Sequence, residues 1–137
     1  MANLKTTKLI VGLVGSKGSG KGTFCKLLQS SLPKRKVEVI RFSDLLRETL
    51  KLWSLDPTRA NLQDMAIIME QHFGQGTLAN AIRQRISSLN SDIIIVDGVR
   101  WMSDYHLIRS FPENILVAVI ASIETRYQRT KQRGEKS

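Results

Sequence analysis

A glycine-dense segment that follows an apolar strand pattern constrains this chain more than any other feature of the sequence. Residues 8–14 are mostly apolar and rich in β-branched side chains, which predicts a buried strand. Residues 24–31 are typical of a helix that ends before Pro33. The segment between them contains the pattern G-x-x-x-x-G-K. It consists of Gly15, Ser16, Lys17, Gly18, Ser19, Gly20, Lys21, Gly22 and Thr23.

This segment has the composition of a loop that binds the phosphates of a nucleotide. Glycines let the backbone curl so that successive N–H groups converge on one anion. The helix that follows adds unpaired N–H groups and the positive end of its dipole, and Lys21 would place a mobile charge on the β- and γ-phosphates. We therefore predict that all nine residues bind ATP and that Lys21 is catalytic, with Lys17 either near the phosphates or solvated. The alternative is a glycine-rich turn that binds nothing.

The residues after the loop lysine bear on metal binding. In the simplest form of the pattern a Ser or Thr follows the lysine directly and ligates Mg²⁺, whereas here Gly22 comes first and Thr23 second. This G-K-G-T form resembles that of adenylate kinases and related nucleoside monophosphate kinases. The resemblance implies that Thr23 and the backbone of Gly22 lie beside the phosphates, and that Mg²⁺ is held largely through water. Thr23 is one of two candidate metal ligands.

Strand patterns alternate with helix patterns along the whole chain. The predicted strands are residues 8–14, 37–41, 92–97 and 115–121, and helices are expected near 44–53, 58–73, 77–89, 103–110 and 122–134. The alternation predicts one α/β domain over residues 1–137, with a parallel sheet and a strand-free helical insert at about 43–89. The resemblance implies a three-layer phosphate-loop kinase fold with helices on both faces. It also implies that this sequence lacks the C-terminal part of such a fold.

Composition excludes several classes of protein. The 21 Lys and Arg residues against 12 Asp and Glu give a net charge of +9, which favours anionic partners. The single cysteine excludes an intramolecular disulfide framework and a multi-cysteine metal cluster. No apolar run approaches the roughly 18 residues that a membrane span needs, so we expect a cytoplasmic protein with no membrane partner.

The apolar strand at 92–97 ends in an aspartate. The end of a buried parallel strand lies in the crevice where such sheets bind ligands, so Asp97 is the second candidate metal residue, placed to orient hydrated Mg²⁺; the alternative is a turn residue before Gly98. The following D-G-V-R segment resembles the D-G-x-P-R of adenylate kinases, and more closely the shorter form in small archaeal and bacterial adenylate-kinase-related proteins. The resemblance implies that Arg100 grips a substrate phosphate in catalysis; the alternative is a surface arginine.

Two segments of the insert are candidate acceptor-binding regions. F-S-D-L-L-R at residues 42–47 resembles the G-D-x-[LI]-R of monophosphate kinases, which implies that Ser43 and Arg47 bind the acceptor. The same residues also form an ordinary helix start, with Ser43 as N-cap and Arg47 on the surface. P-T-R-A-N-L-Q at 57–63 resembles a segment of the adenylate-kinase-related proteins, so Arg59 is a further acceptor candidate beside the simpler interpretation of a capped helix with a polar face.

The end of the chain is basic. Arg126, Arg129 and Arg133 recur at spacings of three and four and share one helix face. The resemblance implies that this helix, at about 126–137, begins a mobile lid, and that Arg126 and Arg129 neutralise charge on the transferring group. The alternatives are a solvated charged face or a nucleic-acid patch.

The remaining conspicuous residues are assigned no chemistry. We expect Cys25 to be a small buried side chain, Trp53 and Trp101 to pack, and Met65, Ile68 and Met69 to form a core face.

These features together predict an ATP- and Mg²⁺-dependent phosphotransferase that acts on a nucleoside monophosphate or a similar phosphorylated acceptor. One alternative is dephospho-coenzyme A kinase, although Gly22 favours the monophosphate kinases. Another is a nucleotide-binding switch or RNA-associated ATPase, which the positive charge allows; no RNA-binding motif accompanies it, so we expect no nucleic-acid partner.

Overall fold

The four strands form one parallel sheet and are joined by helices. The structure, a computed structural model, describes residues 8–132. Its elements, in chain order, are β1 (Leu9–Val14), α1 (Lys21–Ser31), β2 (Val37–Arg41), α2 (Phe42–Leu52), α3 (Arg59–Phe73), α4 (Thr77–Ser88), β3 (Ile93–Asp97), α5 (Met102–Arg109), β4 (Glu113–Ala118) and α6 (Ile123–Gln132).

The strand order is β2-β3-β1-β4, so β1 and β3 are the central strands. Asp97 at the end of β3 is in register with Leu13 of β1 on one side and with Arg41 of β2 on the other. All strands run in the same direction, and their carboxyl ends therefore meet at one edge of the sheet. That edge is where an open parallel sheet binds ligands. The predicted parallel α/β architecture is confirmed.

The fourth predicted strand is displaced. We predicted it at residues 115–121, but β4 begins at Glu113 and ends at Ala118, which pairs with Val14. Val119 still donates from its backbone N–H to the carbonyl of Val14, over 2.8 Å, but Ile120 is 87% exposed. The strand ends here because its partner β1 ends, although the apolar run in the sequence continues.

Both faces of the sheet are covered by apolar clusters. On one face Ile10, Ile94 and Val96 pack with side chains from α2, α4 and α5. On the other face Val11, Leu13 and Ile95 pack with Cys25 and its neighbours on α1. Alternate residues of each strand point to opposite faces, so a continuous apolar strand is the pattern that a sheet between two layers of helices requires.

The insert is helical, as predicted, but its detail differs from expectation. Helix α2 begins at Phe42 and not at a Ser43 cap; the Asp44 carboxylate accepts the N–H of Arg41, over 2.9 Å. Thr58 does cap α3, accepting the N–H of Asn61 over 3.1 Å.

The outer side of the insert is more exposed than we predicted. Ile68 is 56% exposed and Trp53 is 73% exposed, so neither belongs to a core. α3 packs against α2 and α4 and buries none of its residues fully. The Glu70 carboxylate at the end of α3 accepts backbone N–H groups from Gly76 and Leu78, over 2.8 and 3.0 Å, and so fixes the start of α4.

None of the helices in residues 8–132 is both long enough and apolar enough to cross a membrane.

Candidate functional site

The glycine loop lies at the carboxyl edge of the sheet, between the end of β1 and the start of α1. The N–H of Ser19 donates to the carbonyl of Ser16, over 3.0 Å, which closes the loop into a tight turn. Gly18 has φ of +79° and Gly20 has φ of +107°, conformations that L side chains rarely adopt. Gly20 also occupies the N-cap of α1 and offers no side chain to its first N–H groups. Those groups therefore have no side-chain cap and are left for an anion to bind.

The Lys21 side chain folds back toward the first residue of the loop. Its Nζ donates to the carbonyl of Gly15, over 2.8 Å, and lies 3.6 Å from Oδ1 of Asp97. The lysine is the first residue of α1, and the aspartate is the last residue of the neighbouring strand β3. The fold thus brings together the two residues that the sequence singled out most strongly. Their side chains are only 18% and 12% exposed, so solvent screens this contact less than a surface ion pair.

Arg41 completes a group of three charges. Its Nε lies 3.5 Å from Oδ2 of Asp97, so Lys21 and Arg41 contact different oxygens of one carboxylate. We did not predict a role for Arg41, because in the sequence it is only the last residue of a short strand. The one indication would have been the strand order, which places β2 beside β3.

Two buried oxygens in this region have no hydrogen-bond partner among the described residues, Oγ of Ser19 and Oδ1 of Asp97. A buried unpaired acceptor is costly unless a ligand or ion satisfies it. Residues 8–132 contain no cluster of three or more His, Cys, Asp or Glu that could enclose a metal. One carboxylate with free acceptor capacity fits Mg²⁺, which keeps several waters and binds one or two carboxylates together with substrate phosphates.

The first turn of α1 contains the other predicted metal ligand. Thr23 is exposed there, two residues after Lys21. A Cβ added at Gly22 would meet no atom within 4 Å, so the surroundings of this glycine are open. Ser16 and Lys17 form the exposed tip of the loop. Their binding roles, like that of Thr23, stay predictions.

Helix α6 lies directly against the loop. A Cβ at Gly18 would come within 2.7 Å of the Arg126 carbonyl oxygen, so the two backbones touch. Arg129 donates from Nη1 to the carbonyl of Gly18, over 3.1 Å, and lies next to Gly20. The structure therefore brings Arg126 and Arg129 to the phosphate loop. Arg133, the third arginine of the predicted face, lies outside the described residues.

Arg100 follows β3 at the same edge of the sheet. Its backbone N–H and that of Trp101 both donate to Oδ2 of Asp104, each over 3.0 Å. Burial raises the pKa of the Asp104 carboxyl above its usual value, and the two N–H donors act in the opposite direction. The side chain of Arg100 is exposed, and Trp101 is 42% exposed and not packed as predicted. Asp104 thus fixes the backbone from which Arg100 extends.

The three acceptor candidates of the insert lie on two different helices. Ser43 is half-buried in the first turn of α2, two residues from Arg41. Arg47 is exposed on the next turn, and Arg59 is exposed at the first position of α3. Within the described part of the chain, neither arginine forms an ion pair or hydrogen bond with the loop or with Asp97.

Cys25 lies one turn along α1 from Lys21 and is buried, as predicted. Burial raises the pKa of its thiol, and the charge of Asp97 raises it further, against the opposing effects of Arg41 and Lys21. The thiol therefore lies within the electrostatic reach of all three charges at the edge of the sheet.

Comparison with known proteins identifies the family. A family model described as an AAA domain matches residues 14–137, which include the loop, Asp97 and α6. A UPF0200 protein of Thermococcus kodakarensis is 30% identical over 131 residues, covering 92% of this chain and 69% of the relative. The chain belongs to the AAA domain family and to the UPF0200 proteins.

Relatives in this family are longer than the present chain. A UPF0200 protein of Hyperthermus butylicus is 29% identical over 127 residues, which cover 93% of this chain and 66% of the relative. The chain spans about two thirds of the length of the curated relatives it matches.

Solved structures confirm the fold. Shikimate kinase from Acinetobacter baumannii in complex with shikimate superposes with a TM-score of 0.54 at 18% identity, over 95% of this chain and 65% of that one. The chain thus shares the fold of this kinase, in agreement with the parallel α/β fold that was predicted.

Proposed function

We propose that this chain binds ATP through the loop at residues 15–23 and transfers the γ-phosphoryl group to a nucleoside monophosphate or a similar phosphorylated acceptor. One observation carries the proposal. Lys21 leads out of the glycine loop, is held by the carbonyl of Gly15, and lies 3.6 Å from the Asp97 carboxylate at the edge of the sheet. A mobile ammonium, an oriented carboxylate and open N–H groups in one place are the components of a nucleotide phosphate site.

The donor side would work by positioning and charge. The N–H groups of the loop and of the first turn of α1 hold the phosphates, and Lys21 exchanges the Gly15 carbonyl for a phosphate oxygen. Asp97, whose Oδ1 accepts no hydrogen bond from the described residues, and Thr23 would hold Mg²⁺ with its waters. When bound, Mg²⁺ supplies charge neutralisation on the β- and γ-phosphates.

The transfer itself needs no nucleophilic side chain. An oxygen of the acceptor phosphate forms the new bond to the γ-phosphorus, the bond to the β–γ bridging oxygen breaks, and ADP leaves. Arg100, at the carboxyl edge, would hold the acceptor phosphate, with Ser43, Arg47 and Arg59 of the insert as further acceptor contacts. A planar guanidinium suits this task because it donates two parallel hydrogen bonds to one phosphate.

Helix α6 would act on the transferring group. Arg126 and Arg129 already lie beside Gly18 and Gly20 of the loop. Arg129 would exchange the carbonyl of Gly18 for a phosphate oxygen, and the Arg126 side chain would extend to the same phosphates, where charge accumulates during transfer. Closing over the phosphates would also exclude water that otherwise hydrolyses ATP.

An acceptor panel tests the proposal. The chain is incubated with Mg²⁺ and ATP alone, then with AMP, CMP, GMP, UMP or dephospho-coenzyme A, and ADP formation is followed. We expect ADP to form faster with at least one acceptor and the Lys21→Ala variant to lose that increase. Equal rates with and without every acceptor would overturn the phosphotransferase proposal. A further arm with RNA identifies the RNA-associated ATPase, for which only RNA would raise the rate.

A further inference from the structure

Arg41 occupies a position that no part of the proposed function explains. It is the last residue of β2, in register with Asp97, and its Nε lies 3.5 Å from the Asp97 carboxylate. Its side chain is 53% exposed, whereas that of Asp97 is 12% exposed. The guanidinium is thus the more exposed partner of the pair, at the carboxyl edge of the sheet where the crevice lies.

The strand order separates two sides of this crevice. β3 lies between β1, which leads into the phosphate loop, and β2, which ends in Arg41. Lys21 contacts Oδ1 of Asp97 and Arg41 contacts Oδ2, so the two cations stand on opposite sides of one carboxylate. Lys21 stands on the side of the loop, and Arg41 stands on the side where α2 starts.

The chemistry of Arg41 suits an anionic ligand. Because the Arg41 side chain is half-exposed, water screens its attraction to Asp97, and exchanging that contact for one to a stronger anion costs little. With Nε on Asp97, the terminal nitrogens of the guanidinium extend further from the carboxylate. A planar guanidinium binds a phosphate through two parallel hydrogen bonds, which a lysine cannot reproduce.

We propose that Arg41 binds the phosphate of the acceptor, and that the acceptor is therefore a phosphomonoester held on the β2 side of Asp97. This inference rests on the proposed phosphotransferase function. It adds a binding residue that the sequence motifs do not contain. In this arrangement Asp97 lies between the donor phosphates and the acceptor phosphate. Lys21 binds the donor phosphates, and Arg41 binds the acceptor phosphate.

A comparison of two ligands isolates the phosphate contact. AMP and adenosine share a base and a sugar and differ in the phosphate alone, and both are titrated calorimetrically against the parent chain and the Arg41→Ala variant. We expect Arg41→Ala to weaken AMP binding at least tenfold and to change adenosine and Mg·ADP binding less than twofold. If another nucleoside monophosphate of the panel binds the parent better, it and its nucleoside replace this pair.

Arg35→Ala is the matched control. Arg35 is an exposed arginine in the segment before β2, at the edge of the sheet where the strands begin. Its replacement should leave the affinities for AMP, adenosine and Mg·ADP unchanged. The Arg41 side chain contributes nothing to the core, so circular dichroism of both variants should match that of the parent. An Arg41→Lys variant should recover only part of the AMP affinity, because it restores the charge without the planar fork.

Other outcomes would overturn the inference in distinguishable ways. Equal losses of AMP and adenosine affinity would mean that Arg41 only positions Asp97 or the insert. A loss confined to Mg·ADP would place Arg41 on the donor side, and unchanged AMP binding would remove it from the site; in both cases the proposed function would stand. Failure of the parent to bind any nucleoside monophosphate, with Mg·ADP still bound, would overturn the inference together with the proposed acceptor class.

Discussion

Replacing Gly18 by alanine tests the close packing of α6 against the phosphate loop. The residue has φ of +79°, where an L side chain costs about 1–2 kcal/mol. The added Cβ would also lie 2.7 Å from the carbonyl oxygen and 3.0 Å from the Cα of Arg126, and backbone atoms cannot rotate away. We therefore expect α6 to shift and to lose the hydrogen bond from Arg129 to Gly18, which contributes about 0.5–1.5 kcal/mol.

The two costs sum to a decrease of about 1.5–3.5 kcal/mol in the free energy of unfolding, measured by urea denaturation. Gly22→Ala is the matched control in the same segment. A Cβ there meets nothing within 4 Å, and alanine in a helix is favoured over glycine by about 0.5–1 kcal/mol, so this variant should be as stable as the parent or more so. Equal stability of the two variants would refute the packing of α6 on the loop.

Three further predictions concern the acceptor side, the insert and the buried thiol. Arg100→Lys keeps the charge and loses the planar fork, so the acceptor KM should rise while ATP affinity without acceptor stays the same; a loss confined to ATP binding would move Arg100 to the donor side. Glu70→Ala removes two hydrogen bonds to the start of α4 and should lower the free energy of unfolding by about 1–2 kcal/mol, whereas unchanged urea denaturation would contradict this capping role. Burial and Asp97 raise the folded-state pKa of Cys25 above the ordinary value of a thiol. The neutral thiol therefore contributes stability below its unfolded pKa and loses that contribution as pH rises through the higher folded value. The stability difference between the parent and Cys25→Ala should therefore narrow from pH 8 to higher pH, and parallel pH profiles of urea denaturation would contradict it.

The sequence was sufficient to predict most of the sheet. β1, β2 and β3 lie within one residue of their predicted bounds, because each is a short apolar run that ends at a glycine or a charged residue. β4 was misplaced because an apolar run does not show where hydrogen-bond partners end. Glu113 and Asn114 belong to the strand since Leu9 and Ile10 pair with them, and the strand stops at Ala118 because β1 stops at Val14.

The candidate site was predictable only where a motif marks it. Lys21 and Asp97 were chosen from a glycine pattern and a strand end, and the fold places them in contact. Arg41 was missed because its position depends on strand order, which apolar patterns do not specify. Trp53 and Trp101 were expected to pack from residue type alone. Their exposure follows from their places just after the end of α2 and just before the start of α5, at the surface.

The central claim is that the loop binds nucleotide phosphates through Lys21, and a calorimetric titration of Mg·ATP tests it most directly. The parent chain is compared with Lys21→Ala and with Lys26→Ala, an exposed lysine further along α1 that serves as control. We predict that Lys21→Ala weakens binding at least tenfold, about 1.4 kcal/mol or more, with an unchanged circular dichroism spectrum, and that Lys26→Ala binds like the parent. Equal affinity of Lys21→Ala and the parent chain would contradict the assignment of this loop.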